Sequence, residues 1–257
     1  MKSLADSNGP AGERLQNVLA KAGVASRRGA AAIIESGRVT VDGLVVREPG
    51  ARVDAAAVRL AVDGRPLAAA ARPRTIVLNK PAGVLSSMSD PFGGRTVADL
   101  IRGQVAERLV PVGRLDKDSE GLLLMSNDGD LTLKLTHPRY EHEKTYVVKV
   151  AGRWSDEKLA VLRSAVRMPD GYVIRPVPVK VLRANPDHTT VLEFRLREGR
   201  KRQIRYMCSA AHLVVISLTR VAIGAFRLPA DLKSGDWRDL TADERALLQT
   251  EPGGNKT

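Results

Sequence analysis

Six consecutive residues hold the densest polar chemistry in the sequence: Asp116-Lys117-Asp118-Ser119-Glu120-Gly121. Asp116, Asp118, Glu120 and Gly121 fall on the first, third, fifth and sixth positions of a calcium loop. That loop fails at its last position, where Asn127 replaces the bidentate Glu. Leu122 to Met125 is also an apolar, strand-like run rather than an arm of oxygen ligands. Two readings of the cluster remain. It is either a solvated acidic turn or the seat of a carboxylate that acts on a substrate. Gly113-Arg114-Leu115 before Asp116, the apolar run after it and the basic chain around it favour a carboxylate held at a strand edge.

A second cluster gathers Arg195, Arg197, Arg200, Lys201, Arg202 and Arg205. The spacing predicts a helix over 201–211, with Ile204, Met207, Cys208 and Ala211 on one face at i, i+3, i+4 and i+7. Lys201 and Arg205 share another face, with Arg202 beside them. Such a helix is either merely a basic surface or a contact for phosphate or for a buried carboxylate. The density of cations favours the contact. The four histidines, His137, His142, His188 and His212, lack ligand spacing with the single Cys208, so no metal site is expected. Cys208 lies on the apolar stripe, which argues against a nucleophile. Tyr146 alone reads as core.

These groups need elements to hold them and a partner to meet. The chain has 257 residues, with 41 Lys+Arg against 29 Asp+Glu, a net charge of +12. That balance points to a polyanion, RNA or DNA. An anionic membrane fits less well, since no long basic amphipathic helix is evident. One cysteine excludes an internal disulfide framework and fits a reducing cytosol. No apolar run reaches the ~18 residues of a membrane span. Met1 to Gly12 lacks the apolar core of a secretory signal. Like Glu251 to Thr257, it reads as a flexible tail.

Two domains are expected, over 13–67 and 75–249, joined by an Ala/Pro/Arg linker, Ala68 to Arg74. In the first, Leu15, Val18 and Leu19 predict a helix stopped at Gly23. Ser26 caps a second helix through Ile33 and Ile34 that ends at Gly37. Val39-Thr40-Val41 and Leu44-Val45-Val46 flank Asp42-Gly43, a two-residue hairpin signal. A further strand, Val58 to Val62, precedes Asp63-Gly64. Arg27 and Arg28 open the second helix, whose N-terminal dipole favours anions.

The second domain mixes strands and helices without a βαβ rhythm. Strands are expected over 75–78, 122–125, 146–150, 190–197 and 216–223, and helices over 97–101 and 131–135. This is an α+β pattern with a largely antiparallel mixed sheet. No internal repeat and no Gly-rich phosphate loop is present.

Taken together, the ordered segments NKPAGVLSS (79–87), GRLDKDSEGLLLMSNDG (113–129), HEKTYVVKV (142–150), EGRKRQIRYMC (198–208) and SLTRVAIG (217–224) resemble the ribosomal RNA pseudouridine synthases of the RsuA/RluB/RluF group. WRDLTADE (237–244) is also similar. RLQNVLAKAGVASRR with the VDG hairpin resembles the RNA-binding domain of small-subunit ribosomal protein four. The match covers about 13 to 248.

The resemblance implies roles. Asp116 is the essential carboxylate. Tyr146 stacks on the target base and takes part in removing the carbon-five proton. Arg205 pairs with the Asp, and Leu218 packs near the uracil. Arg114, Lys201, Arg202, Arg27 and Arg28 are expected RNA contacts. Tyr206 departs from the pattern, since many relatives carry a second Arg there. The implied activity is isomerisation of a uridine in large-subunit ribosomal RNA by a cytoplasmic monomer, with no cofactor and no metal. GRLDKDS, HEKTY and RQIRYMC lean toward the F type, with the B type close. A non-catalytic ribosomal RNA-binding factor and a nucleobase-releasing hydrolase are the competing readings.

Overall fold

The computed structural model describes residues 12–68 and 71–249. The expected tails lie outside these residues apart from Gly12, as do 69 and 70 of the linker. The chain divides into two compact units between Pro73 and Arg74.

In the N-terminal unit, helices Leu15–Lys21 and Arg27–Glu35 pack against a small sheet. Ser26 caps the second helix, its hydroxyl accepting from the Gly29 amide at 3.0 Å. Leu15, Leu19, Ala30 and Ile34 are wholly buried, facing Val39 and Val41 of the sheet. The strand order is Leu44–Val46, Val39–Val41, Leu60–Val62, Arg65–Pro66. Both Asp-Gly pairs form tight turns with positive φ at each residue, Asp42 at 49° and Gly43 at 83°, Asp63 at 51° and Gly64 at 73°. That is the signature of hairpin turns matched to strand twist. The strand Arg65–Pro66 is too short for a sequence pattern to predict.

The C-terminal unit is built on a nine-stranded sheet. Its main order is Val179–Ala184, Thr189–Leu196, Lys144–Ala151, Val214–Ile223, Glu120–Ser126, Thr75–Lys80, Trp237–Asp239. The pairs are antiparallel except one: Val214–Ile223 runs parallel to Glu120–Ser126, with Thr219 opposite Glu120 and Arg220 opposite Gly121. The Glu120–Ser126 strand is covered on both faces. Leu123 and Met125 join the larger core with Val148, Phe194 and Met207. Leu122 and Leu124 join a second core with Leu131, Leu135 and Phe226. Burial on both sides explains an unbroken apolar run where a half-exposed strand would alternate.

One expectation is corrected. The helix predicted over 201–211 spans Gln203–Ala210, so Lys201 and Arg202 lie in the turn before it. Arg202 is left-handed there (φ 57°), and the Gln203 side chain accepts from the Arg200 amide at 3.1 Å. That local bond holds the turn and delays the helix. The stretch from Ala151 to Thr189, left unassigned above, carries the helix Asp156–Arg163 and the edge strand Val179–Ala184. No helix among the described residues is long and apolar enough to cross a membrane.

The parallel junction is tight. Gly121 has φ +97°, and a Cβ there would lie 2.8 Å from Thr219 Cγ2 and closer still to the Arg220 carbonyl. Arg220, 2 % exposed, ties the same two strands by donating Nε to the Leu122 carbonyl at 2.8 Å. Gly121→Ala is therefore expected to destabilise the protein by roughly 2–4 kcal/mol, through backbone strain and overpacking. Urea unfolding measures this, and a loss below about 0.5 kcal/mol would contradict the close approach.

Candidate active site

Asp116 lies in the turn between the strands Val110–Val112 and Glu120–Ser126. The backbone of this turn is braced from several sides. Ser86 Oγ donates to the Leu115 carbonyl at 2.9 Å and accepts from the Leu115 amide at 3.1 Å. Lys80, at the end of the Thr75–Lys80 strand, is wholly buried, and its Nζ donates to the carbonyls of Ser119 at 2.7 Å and Pro81 at 2.9 Å. The Gly83 amide donates to the Lys117 carbonyl at 2.8 Å. From the helix side, Arg205 Nη2 donates to the Asp118 carbonyl at 3.1 Å. Arg202 Nη1 pairs with Asp118 Oδ2 at 3.2 Å. Within the turn, the Ser119 amide donates to the Asp116 carbonyl at 3.1 Å.

The Asp116 carboxylate is the part of this turn left uncommitted. It makes no hydrogen bond or ion pair among the described residues. It lines a pocket of about 420 Å³ together with Tyr146 and Leu218. Tyr146 and Leu218 sit on neighbouring antiparallel strands, with Tyr146 opposite Arg220 and Leu218 opposite Val148. They are 8 % and 5 % exposed, so their apolar surfaces form the floor. Arg114, Arg200, Lys201 and Arg202 supply cationic walls. Such a pocket suits a flat, weakly polar ring on the floor, a carboxylate at one side and an anionic backbone at the rim.

Of the residues singled out in the C-terminal part of the sequence, Arg114, Tyr146, Arg200, Lys201, Arg202, Ile204 and Leu218 join Asp116 in one pocket. Arg205 is placed differently. No ion pair joins it to Asp116. It reaches the backbone of Asp118 instead, and its Nε is buried without a hydrogen-bond partner. Its guanidinium is spent on a backbone carbonyl two residues beyond the acid. Arg27 and Arg28 are exposed on the N-terminal unit and make no ion pair among the described residues. Nearby Lys21 and Arg38 are already paired, with Glu13 at 2.9 Å and Asp63 at 2.5 Å. Cys208 is wholly buried, and burial pushes its thiol up to about 12, which leaves it inert as a nucleophile near neutrality. No three His, Cys, Asp or Glu side chains gather as metal ligands among the described residues.

Lys80, Ser86 and Tyr172 escape the sequence reading. A lysine ending an apolar strand is a recognisable signal only once its burial is known. Burial pushes the Lys80 ammonium down to about 8, and the carboxylates of Asp118, Glu120 and Asp116 hold it up in part. Lys80→Met removes a buried charge but leaves the carbonyls of Pro81 and Ser119 short of a partner. The second effect outweighs the first, and a loss of roughly 2 kcal/mol is expected at neutral pH. The folded value lies below the ordinary 10.5. Between about 8 and 10.5 the unfolded chain therefore binds more protons at this site, so its contribution to stability rises with pH. Urea unfolding across that window should show a shallower rise in Lys80→Met than in the parent. Equal slopes would place Lys80 in water.

Comparisons with known proteins identify the family. The family model described as RNA pseudouridylate synthase matches residues 74–210. The S4 domain model matches residues 13–58. A Bacillus subtilis protein named ribosomal large subunit pseudouridine synthase B is 40% identical over 238 residues, covering 92% of this chain and 96% of the relative. An uncharacterized RNA pseudouridine synthase of Aquifex aeolicus is 38% identical, over 91% of this chain and 93% of its own. A solved structure, the crystal structure of pseudouridylate synthase, superposes with a TM-score of 0.65 at 26% identity, covering 91% of this chain and 99% of that one. The Bacillus relative carries the B designation, against the lean toward the F type in the motifs. A family match over more than half the chain and near-complete alignment with such relatives settle the assignment: the chain belongs to the RNA pseudouridylate synthases, enzymes that isomerise uridine in RNA, and it carries an S4 domain ahead of the synthase domain.

Proposed function

We propose that this enzyme converts a specific uridine of large-subunit ribosomal RNA to pseudouridine, with Asp116 as the carboxylate that acts on the ribose. The observation that carries this reading is the free Asp116 carboxylate on a braced turn, in one pocket with Tyr146 and Leu218. The choice of large-subunit RNA is supported by the name of the Bacillus relative. The domains act as units of about 13–67 and 75–249, in the cytoplasm and as a monomer.

The reaction breaks the bond from ribose to nitrogen one, turns the uracil and joins the ribose to carbon five; carbon five loses its proton and nitrogen one takes one up, so the product is an isomer. The uridine must first quit its stack. Tyr146 receives the uracil face, and Leu218 closes the floor so that the detached ring turns without escaping. Tyr146 also takes part in removing the carbon-five proton. Asp116 acts at the ribose, its oxygens left free by every described residue. Arg205 is a positioning residue here, acting through the Asp118 carbonyl. Arg114, Lys201 and Arg202 meet phosphates around the flipped nucleotide, while Arg27 and Arg28 meet RNA elsewhere.

Asp116→Asn is expected to fold and bind ribosomal RNA as the parent does, and to lose more than about 100-fold in rate. Tritium release from large-subunit transcripts labelled at carbon five measures this, and activity kept by the variant would overturn the assignment. Free uracil among the products would instead indicate hydrolysis. For the N-terminal unit, the Arg27→Ala/Arg28→Ala pair should lower the slope of log affinity against log salt by about 1.5, from two lost phosphate contacts. An unchanged slope would remove these residues from the RNA interface.

A further inference from the structure

Arg200 lines the Asp116 pocket and is exposed at its rim. Its Cζ lies 3.7 Å from the centroid of the Tyr172 ring. That distance puts the guanidinium over the face of the ring, in a cation–π contact. The Tyr172 hydroxyl donates to Glu198 Oε2 at 2.7 Å. The other Glu198 oxygen accepts from Gln203 Nε2 at 2.8 Å. Gln203 in turn accepts from the Arg200 amide at 3.1 Å, closing a ring of bonds around the pair. This ring has two effects. It fixes both the tyrosine floor and the backbone of the arginine. It also commits the nearby carboxylate to neutral donors, so the Arg200 guanidinium has no ion pair among the described residues.

We propose that Arg200, held over the face of Tyr172, is a stacking platform for the base of a nucleotide next to the target uridine. The proposal rests on the RNA-isomerase reading of the Asp116 pocket and adds a subsite to it. Swinging a uridine out of its stack leaves the adjacent base with one face bare. A planar cation at the pocket rim covers that face, as guanidinium planes do for splayed RNA bases. Its charge also meets the flanking phosphate. A simple phosphate contact needs no aromatic floor and no fixed tilt. The ring of bonds under Arg200 is what a stacking surface needs, because it removes the motion that stacking would have to freeze.

The test uses the full-length protein and the large-subunit RNA segment that it modifies. That segment is prepared intact and with an abasic nucleotide on each side of the target in turn. The parent enzyme is expected to lose about tenfold in kcat/KM when one flank is abasic. Arg200→Lys keeps the charge without the plane. It should lose about tenfold on intact RNA and nothing more on that abasic RNA. Tyr172→Leu should behave in the same direction by removing the floor. Fluorescence of 2-aminopurine at that flank, quenched on binding to the parent, should stay bright with Arg200→Lys. A lysine variant that discriminates as strongly as the parent would overturn the proposal. So would an active parent enzyme indifferent to both abasic segments. A parent that forms no pseudouridine in any segment would overturn the underlying reading, and the platform with it.

Discussion

A braced turn that leaves its acid free is the constraint on which the site depends. The backbone from Leu115 to Ser119 is held by Ser86, Lys80, Gly83 and Arg205, while the Asp116 oxygens bond to nothing in the protein among the described residues. Each anchor takes a carbonyl or an amide and none takes the acid. The protein thus keeps the position of the carboxylate and leaves its charge available. Buried donors aimed at carbonyls are costly to lose, which makes such a turn resistant to local opening.

The sheet explains why the anchors converge there. The parallel junction of Val214–Ile223 with Glu120–Ser126 starts beside the turn, at Thr219 and Glu120. Gly121 allows the two backbones to approach, and Arg220 ties them from inside. The same strand, Val214–Ile223, carries Leu218 and pairs with the strand that carries Tyr146. Floor and acid are therefore set by one strand register. The Gln203–Ala210 helix closes the other wall, with Ile204 and Met207 in the core and the cationic turn 199–202 facing the pocket.

Much of this was legible in the sequence. The Asp-Gly hairpins, the Ser26 cap and the apolar run Leu122 to Met125 each carry a local signal with one physical meaning. Asp116, Tyr146 and Leu218 were placed by motif resemblance, since spacing along the chain cannot show that distant strands share a pocket. Lys80 was missed because a buried lysine looks like a surface one until three-dimensional packing covers it. The Arg205 pairing differs for a similar reason. The resemblance implies a cation paired with the acid, but only the three-dimensional placement of side chains shows that it meets the backbone two residues on. Tyr172 was invisible because it sits in the short hairpin 166–174, which has no pattern of its own, and its partners Glu198 and Arg200 lie far along the chain.

The most direct measurement is a crystal structure of the Asp116→Asn variant bound to its ribosomal RNA segment. The account predicts the extruded uracil lying on Tyr146, with carbon one of its ribose in contact with the side chain at position 116 and the 115–119 backbone unmoved. A uridine still stacked in the RNA, or seated away from position 116, would contradict it.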